Sequence, residues 1–74
     1  MSKTFFFTID DSQIITNVSI QELPAAVSLW LGNVAIIFTS EAFRFIRFKY
    51  PDYRIEVRRI EGSRYTFKCC FEKL

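Results

Sequence analysis

Apolar and polar positions alternate from the first residues. Between Lys3 and Asp10, Phe5, Phe7 and Ile9 fall on one side and Thr4, Phe6 and Thr8 on the other, the two-residue period of a strand with one buried face. Asp10-Asp11-Ser12-Gln13 has turn chemistry, because short Asp and Ser side chains satisfy local backbone groups. Ile14 to Val18 reads as the returning strand, so an N-terminal hairpin is expected.

The next segment changes period. Ser19-Ile20-Gln21-Glu22 has the spacing of a capping box. Pro24 would lose a bond beyond the first turn of a helix begun at Ser19, so a start near Leu23, with Pro24 as first helical residue, is sterically easier. Val27, Trp30 and Leu31 then make an apolar stripe, and Gly32-Asn33 reads as a left-handed stop. Val34 to Phe38 is uncharged and rich in β-branched residues, as a fully buried central strand would be. On that reading Val34 to Val57 forms a strand, a crossover helix and a strand in a parallel unit. The competing reading runs Val34 into the following helix.

That helix is expected from Ser40 to Tyr50. Thr39 and Ser40 can cap it, and Glu41 suits the positive end of its dipole. Ala42, Phe45, Ile46 and Lys49 share one stripe, Phe43, Arg47 and Tyr50 the next. Pro51 ends it, since proline biases Tyr50 away from helical angles. A rival pattern is present: Phe43-Arg44-Phe45 and Phe48-Lys49-Tyr50 also alternate, and aromatics favour strands. The helix is preferred because its cap and stop agree.

The C-terminal third reads as a hairpin. Tyr53, Ile55 and Val57 share one face, as do Tyr65, Phe67, Cys69 and Phe71. A two-residue loop within Glu61-Gly62-Ser63-Arg64 would pair Ile60 with Tyr65 and set odd residues opposite even ones. Keeping the apolar faces together requires an odd-length loop or a bulge, and a bulge is expected. The fold class that follows is α+β: one domain over residues 1–74, with a small mixed or antiparallel sheet of four to five strands and one or two helices packed on one face.

Leu23 to Ser40 carries no charge over eighteen residues, within the length of a membrane span. Pro24, Ser28, Gly32 and Asn33 interrupt it, and the flanking amphipathic strands need a common core. A soluble, cytoplasmic protein without membrane insertion is the expectation. Met1 and the charged tail are read as the ends of a complete small protein.

Thirteen aromatics (nine Phe, three Tyr, one Trp) in 74 residues are a heavy load for a domain of this size, which leaves much of its surface exposed. Some of Phe6, Phe43, Phe48, Tyr50, Tyr53 and Trp30 should therefore reach the surface, and an apolar patch marks an interaction site. Charge is also uneven. Residues 1–40 carry one cation against three anions, net −2, and residues 41–74 carry nine against five, net +4. An acidic partner surface, protein or nucleic acid, suits the second half.

Little points to catalysis. The chain has no His, which removes the commonest general base and neutral metal ligand. Cys69 and Cys70 are adjacent, so on a strand they point to opposite faces and share no ion easily; one belongs in the core. A disulfide between them would be strained, which makes reduced thiols the default. Asp10 and Asp11 read as turn residues, and no Gly-rich phosphate loop is present. No catalytic residue, metal or cofactor is assigned. Arg64-Tyr65-Thr66-Phe67-Lys68 with Phe71 resembles the aromatic-basic strand of RNA-recognition motifs only in part. It lacks the internal glycine, displaces the last aromatic by one and has no helix and strand after it, so that family is not assigned. Tyr65, Phe67 and Phe71 are read as core.

The functional expectation is a non-enzymatic protein-binding module, either a homodimer or an inhibitor or adaptor of a larger complex. Its aromatic contacts would be Phe43, Phe48, Tyr50 and Tyr53, and its cations Arg44, Arg47, Arg54, Arg58, Arg59 and Arg64, the composition of interface hot spots. The alternative is a nucleic-acid-binding regulator using the same arginines.

Overall fold

Each strand of this protein carries the two-residue alternation that buries one side of a sheet. The computed structural model describes residues 2–11, 13–34, 38, 44–63 and 65–74. In chain order the elements are β1 (Ser2–Asp10), β2 (Gln13–Thr16), a single 3₁₀ turn (Ile20–Glu22), α1 (Ala25–Val34), β3 (Phe45–Tyr50), β4 (Tyr53–Arg59) and β5 (Thr66–Lys73). The strands form one sheet in the order β2-β1-β5-β4-β3, antiparallel at every pairing. This is the small α+β architecture expected, with one described helix.

α1 turns Val27, Trp30 and Leu31 into the core, where they join Phe5, Phe7, Ile55, Val57, Phe67 and Cys69 from the three central strands. The interior is largely aromatic. Phe7 and Phe67, directly opposite in the β1–β5 register, stack with centroids 5.1 Å apart. Trp30 meets Phe48 edge-on at 5.1 Å, and Phe38 touches both groups, lying 5.4 Å from Phe7 and 6.0 Å from Trp30. Such pairs are each worth on the order of 1 kcal/mol beyond the area they bury.

The N-terminal hairpin forms as expected, although its second strand is Gln13–Thr16 and stops short of Val18. Asp10 pairs with Gln13, and Asp11 at the turn takes a positive φ of 47°, which Asp tolerates better than most residues. The Ser19–Glu22 capping box is present but caps the 3₁₀ turn. The Ser19 amide donates to a Glu22 carboxylate oxygen at 3.0 Å, and the Gln21 amide donates to the Ser19 hydroxyl at 3.3 Å. The α-helix proper begins after Pro24, whose carbonyl accepts from the Val27 and Ser28 amides.

Three expectations for the middle of the chain are corrected. The helix placed over Ser40–Tyr50 is not there from Phe45 onward. Those residues form strand β3, paired from Phe45↔Arg58 to Tyr50↔Tyr53, and Thr39 to Phe43 lie outside the described residues. Pro51 is a turn residue between β3 and β4, not a helix stop. The alternation prevails because β4 offers a full-length partner, and Ile46, Phe48 and Tyr50 bring their apolar groups to the helix side in that register. Second, Gly32-Asn33 does not end α1, which runs on through Val34; neither residue adopts the left-handed φ that such a stop requires. Third, no parallel pairing is found among the described residues. Val34 is helical and Phe38 lies outside the strands, fully buried; residues 35–37 of that proposed strand lie outside the described residues.

The C-terminal hairpin keeps the apolar faces together by loop length. Ile55 faces Phe71, Val57 faces Cys69 and Arg59 faces Phe67 without a break, and the Ile60 amide donates to the Thr66 carbonyl at 2.9 Å. The connection from Ile60 to Thr66 is of odd length in the sequence, and Arg64 within it lies outside the described residues. The expected bulge is unnecessary, since an odd-length loop gives the same phase. The Ser63 amide closes a turn on the Ile60 carbonyl at 3.1 Å, with Gly62 at φ 84° in the position where only glycine is unstrained.

Candidate functional site: the open face of the sheet

α1 packs on one face of the sheet, and the other face carries the alternate residues of every strand. Strand registers place these residues in rows. One row crosses four strands as Phe45, Arg58, Lys68 and Phe6, because Phe45 pairs with Arg58, Arg58 with Lys68, and Lys68 with Phe6. The next row runs Arg47, Glu56, Cys70 and Thr4, and the one beyond it Lys49, Arg54, Glu72 and Ser2.

The first row differs from the others in chemistry. Its two end rings are exposed, Phe6 at 41% and Phe45 at 43%. Its two central residues are like charges placed directly opposite, as Lys49 and Arg54 also are two rows on, an arrangement that destabilises a sheet; only the first row brackets such a pair with two exposed rings. Among the described residues neither Arg58 nor Lys68 has a carboxylate partner. Arg47 and Arg54, on the next two rows, do have one. Arg47 holds Glu56 through Nε and Nη2, each at 2.9 Å, and Arg54 approaches Glu72 at 3.6 Å. The guanidinium of Arg58 sits 5.0 Å from the centroid of the Phe45 ring and that of Arg47 at 6.0 Å. Cation–π attraction thus holds Arg58 toward the ring while Lys68 flanks its other side.

Two shallow depressions flank Arg58. One, of about 410 Å³, is lined by Phe45, Arg47, Glu56, Arg58, Lys68 and Cys70. The other, of about 490 Å³, runs from Arg44 and Phe45 past Arg58 to the Glu61–Ser63 turn.

The candidate contact residues are divided between the two faces. Arg47, Arg54 and Arg58 lie on the open face. Phe48, Tyr50 and Tyr53 are half-buried on the helix side and pack against the core. Arg59 also turns to that side: its Nη2 donates to the Phe38 carbonyl at 3.1 Å, and its guanidinium lies 5.3 Å from the Phe67 ring. Arg44 is exposed at the end of the β3–β4 ladder, its carbonyl accepting from the Arg59 amide at 2.9 Å. Phe43 and Arg64 lie outside the described residues. Of the rings expected to surface, Phe6 does and Trp30 does not, being 1% exposed. Tyr65, read as core, is exposed at 44%, whereas Phe67 and Phe71 are buried as expected.

Phe45, Lys49 and Lys68 also lie on the open face and are not among the candidate residues read from the sequence. The signal was the alternation itself. Read with a period of two, Phe45-Ile46-Arg47-Phe48-Lys49-Tyr50 puts Phe45, Arg47 and Lys49 on one face and Ile46, Phe48 and Tyr50 on the other. Read with a helical period, it joins Arg47 to Tyr50.

The two thiols separate as the strand period requires. Cys70 is half-buried on the open face and Cys69 is buried in the core. Burial, with a smaller contribution from neighbouring Cys70, pushes the Cys69 thiol up to about 12, so it stays protonated and non-nucleophilic at neutral pH. Among the described residues, no three His, Cys, Asp or Glu side chains gather as a metal site would require, and no helix is long and apolar enough to cross a membrane. Compared with known proteins, this chain matches no family model, no curated protein and no solved structure.

Proposed function

We propose that this chain is a small non-enzymatic protein-binding module, an inhibitor or adaptor that seats an acidic surface of its partner on the open face of the sheet. The observation that carries this reading is the row Phe45–Arg58–Lys68–Phe6: two exposed rings bracketing two cations whose mutual repulsion an incoming carboxylate would relieve. Exposed aromatics next to arginine are the composition from which protein interfaces draw most of their binding energy. A homodimer is the weaker form of the same idea. Two copies meeting face to face would bring Arg58 and Lys68 against a second set of cations, and edge pairing through β3 would have to accommodate Arg47 and Lys49, charges of the kind that guard a sheet edge.

Single-stranded nucleic acid is the second reading, favoured by the same row, since rings separated by cations suit stacked bases and phosphates. Glu56 and Glu72 on the same face weigh toward protein. Paired affinity purifications with the wild type and a Phe45→Ser/Lys68→Ser variant test the choice. The reading expects specific proteins bound by the wild type and lost by the folded variant, with light scattering giving a monomer. Equal recovery by both proteins overturns it. Co-purifying material removed by nuclease, with affinity falling steeply in salt, establishes the second reading in its place.

A further inference from the structure

The spacing of the exposed row defines a recognition sequence, and this inference rests on the protein-binding reading above. Phe45 and Phe6 stand on strands three intervals apart, which at the usual strand separation is about 14 Å. The Arg58–Lys68 pair occupies the middle of that span. An extended peptide rises about 3.3 Å per residue and sends residues i, i+2 and i+4 to one side, so its first and fifth residues are about 13 Å apart with the third midway. We propose that the open face binds an extended segment lying across the strands, with an apolar residue, any residue, Asp or Glu, any residue, and a second apolar residue.

Each position has a counterpart. The two apolar side chains cover Phe45 and Phe6, which are partly exposed at 41–43% and so keep area to bury. The central carboxylate has two oxygens for two cations and enters the 410 Å³ depression between Phe45 and Lys68. Glu56, which also lines that depression, does not repel it as a free carboxylate would, because Arg47 already neutralises it at 2.9 Å. The second and fourth residues point away from the sheet and are unconstrained. Arg58 enters the contact partly ordered by its 5.0 Å approach to Phe45, which lowers the entropic cost of fixing a long side chain.

The test uses the full chain and synthetic peptides with free-solution NMR of the backbone amides. The probe is a peptide with the core Leu-Ser-Glu-Ser-Phe between Gly-Ser flanks. It is compared with a version carrying Gln for Glu, a respaced version Leu-Ser-Ser-Glu-Phe, and an oligothymidylate. The inference expects shifts at Phe6, Phe45, Arg58 and Lys68. Affinity should fall on the order of tenfold for the Gln peptide, as for loss of a charge-assisted hydrogen bond, and similarly for the respaced peptide or for Lys68→Ser with the original peptide. Equal binding of the respaced peptide, sensitive to Lys68→Ser, sinks the motif and leaves an acidic partner on this face standing. Absence of shifts on this face with every peptide overturns both. Shifts produced only by the oligonucleotide move the face to single-stranded nucleic acid.

Discussion

Arg58 and Lys68 sit directly opposite one another on β4 and β5, a pair of like charges in the middle of the uncovered face and without a carboxylate partner among the described residues. A sheet chosen only for stability would place opposite charges there, as it does at Arg47 and Glu56 one row on. The Lys68→Glu substitution should therefore raise stability by about 0.5 kcal/mol, through loss of repulsion and gain of a cross-strand pair. It should also weaken acidic ligands. A urea titration reads the first effect. A midpoint that falls would mean the pair is not repulsive in the folded state, and with it would go the argument that an anion belongs there.

The core has a single point of concentration. Phe38 is fully buried and lies against the rings of Phe7, Trp30, Phe48 and Phe67, at 5.4, 6.0, 6.3 and 5.6 Å. It belongs to no strand, yet it fills the space between α1 and the sheet. Phe38→Ala should cost about 3–5 kcal/mol through lost transfer energy and a cavity. A domain of this length has roughly 4–11 kcal/mol in total, so the variant should be largely or wholly unfolded at physiological temperature. Near-ultraviolet circular dichroism checks this, since Trp30 reports the packing directly. A cooperative transition shifted by less than about 1 kcal/mol would show that the site collapses around the deletion.

Much of this arrangement is legible in the chain, and the misplaced helix over Ser40–Tyr50 has an identifiable cause. Ile55, Val57 and Phe67 alternate with polar neighbours, and Phe5, Phe7 and Phe71 keep the same two-residue period despite Phe6 and Cys70, so their strands and buried face are legible. Between Ser40 and Tyr50 aromatics and cations are dense enough to satisfy both a helical and a strand period. A capping pattern and a proline then favoured the wrong one. Which period wins depends on β4, the partner across the tight Tyr50–Tyr53 turn, being itself held in the sheet by β5, which the local pattern of residues 40–50 does not reveal. The candidate site inherited the error: Arg47 and Arg58 were identified, but Phe45 was assigned to the wrong face and Lys68 was overlooked. Register decides the row, and register is set by the Ile60–Thr66 and Tyr50–Tyr53 closures.

The two glycines should respond oppositely to alanine. Gly32 lies inside the last turn of α1 without a positive φ, and a methyl group there would meet no atom within 4 Å. Gly32→Ala should stabilise by about 0.5–1 kcal/mol by restricting the unfolded chain. Gly62 holds φ 84° in the β4–β5 turn, where a Cβ crowds the following carbonyl. Gly62→Ala should destabilise by about 1–2 kcal/mol. Thermal melts of the two variants give the signs directly, and a gain at Gly62 would contradict the turn geometry.

The buried thiol sets an alkaline limit on stability. Cys69 titrates near 12 in the folded chain, mainly because burial disfavours the thiolate and secondarily because Cys70 adjoins it; an unfolded thiol titrates near about 8.5. The folded pKa is the higher one. Below about pH 8.5 both states keep the proton and the contribution is fully present. Above it the unfolded chain releases a proton that the folded chain retains, so stability falls as pH rises toward 12. The slope approaches about 1.4 kcal/mol per pH unit. Urea midpoints compared between about pH 8 and pH 10.5 should decline more steeply for the wild type than for Cys69→Ala, which lacks the group; other titrating side chains contribute equally to both. In the native protein at pH 8 a thiol-reactive disulfide reagent should modify Cys70 quickly and Cys69 only on unfolding. Parallel pH slopes for the two proteins, or two thiols reacting at one rate, would mean that Cys69 is not enclosed beside Phe5 and Val57 as its register and burial require.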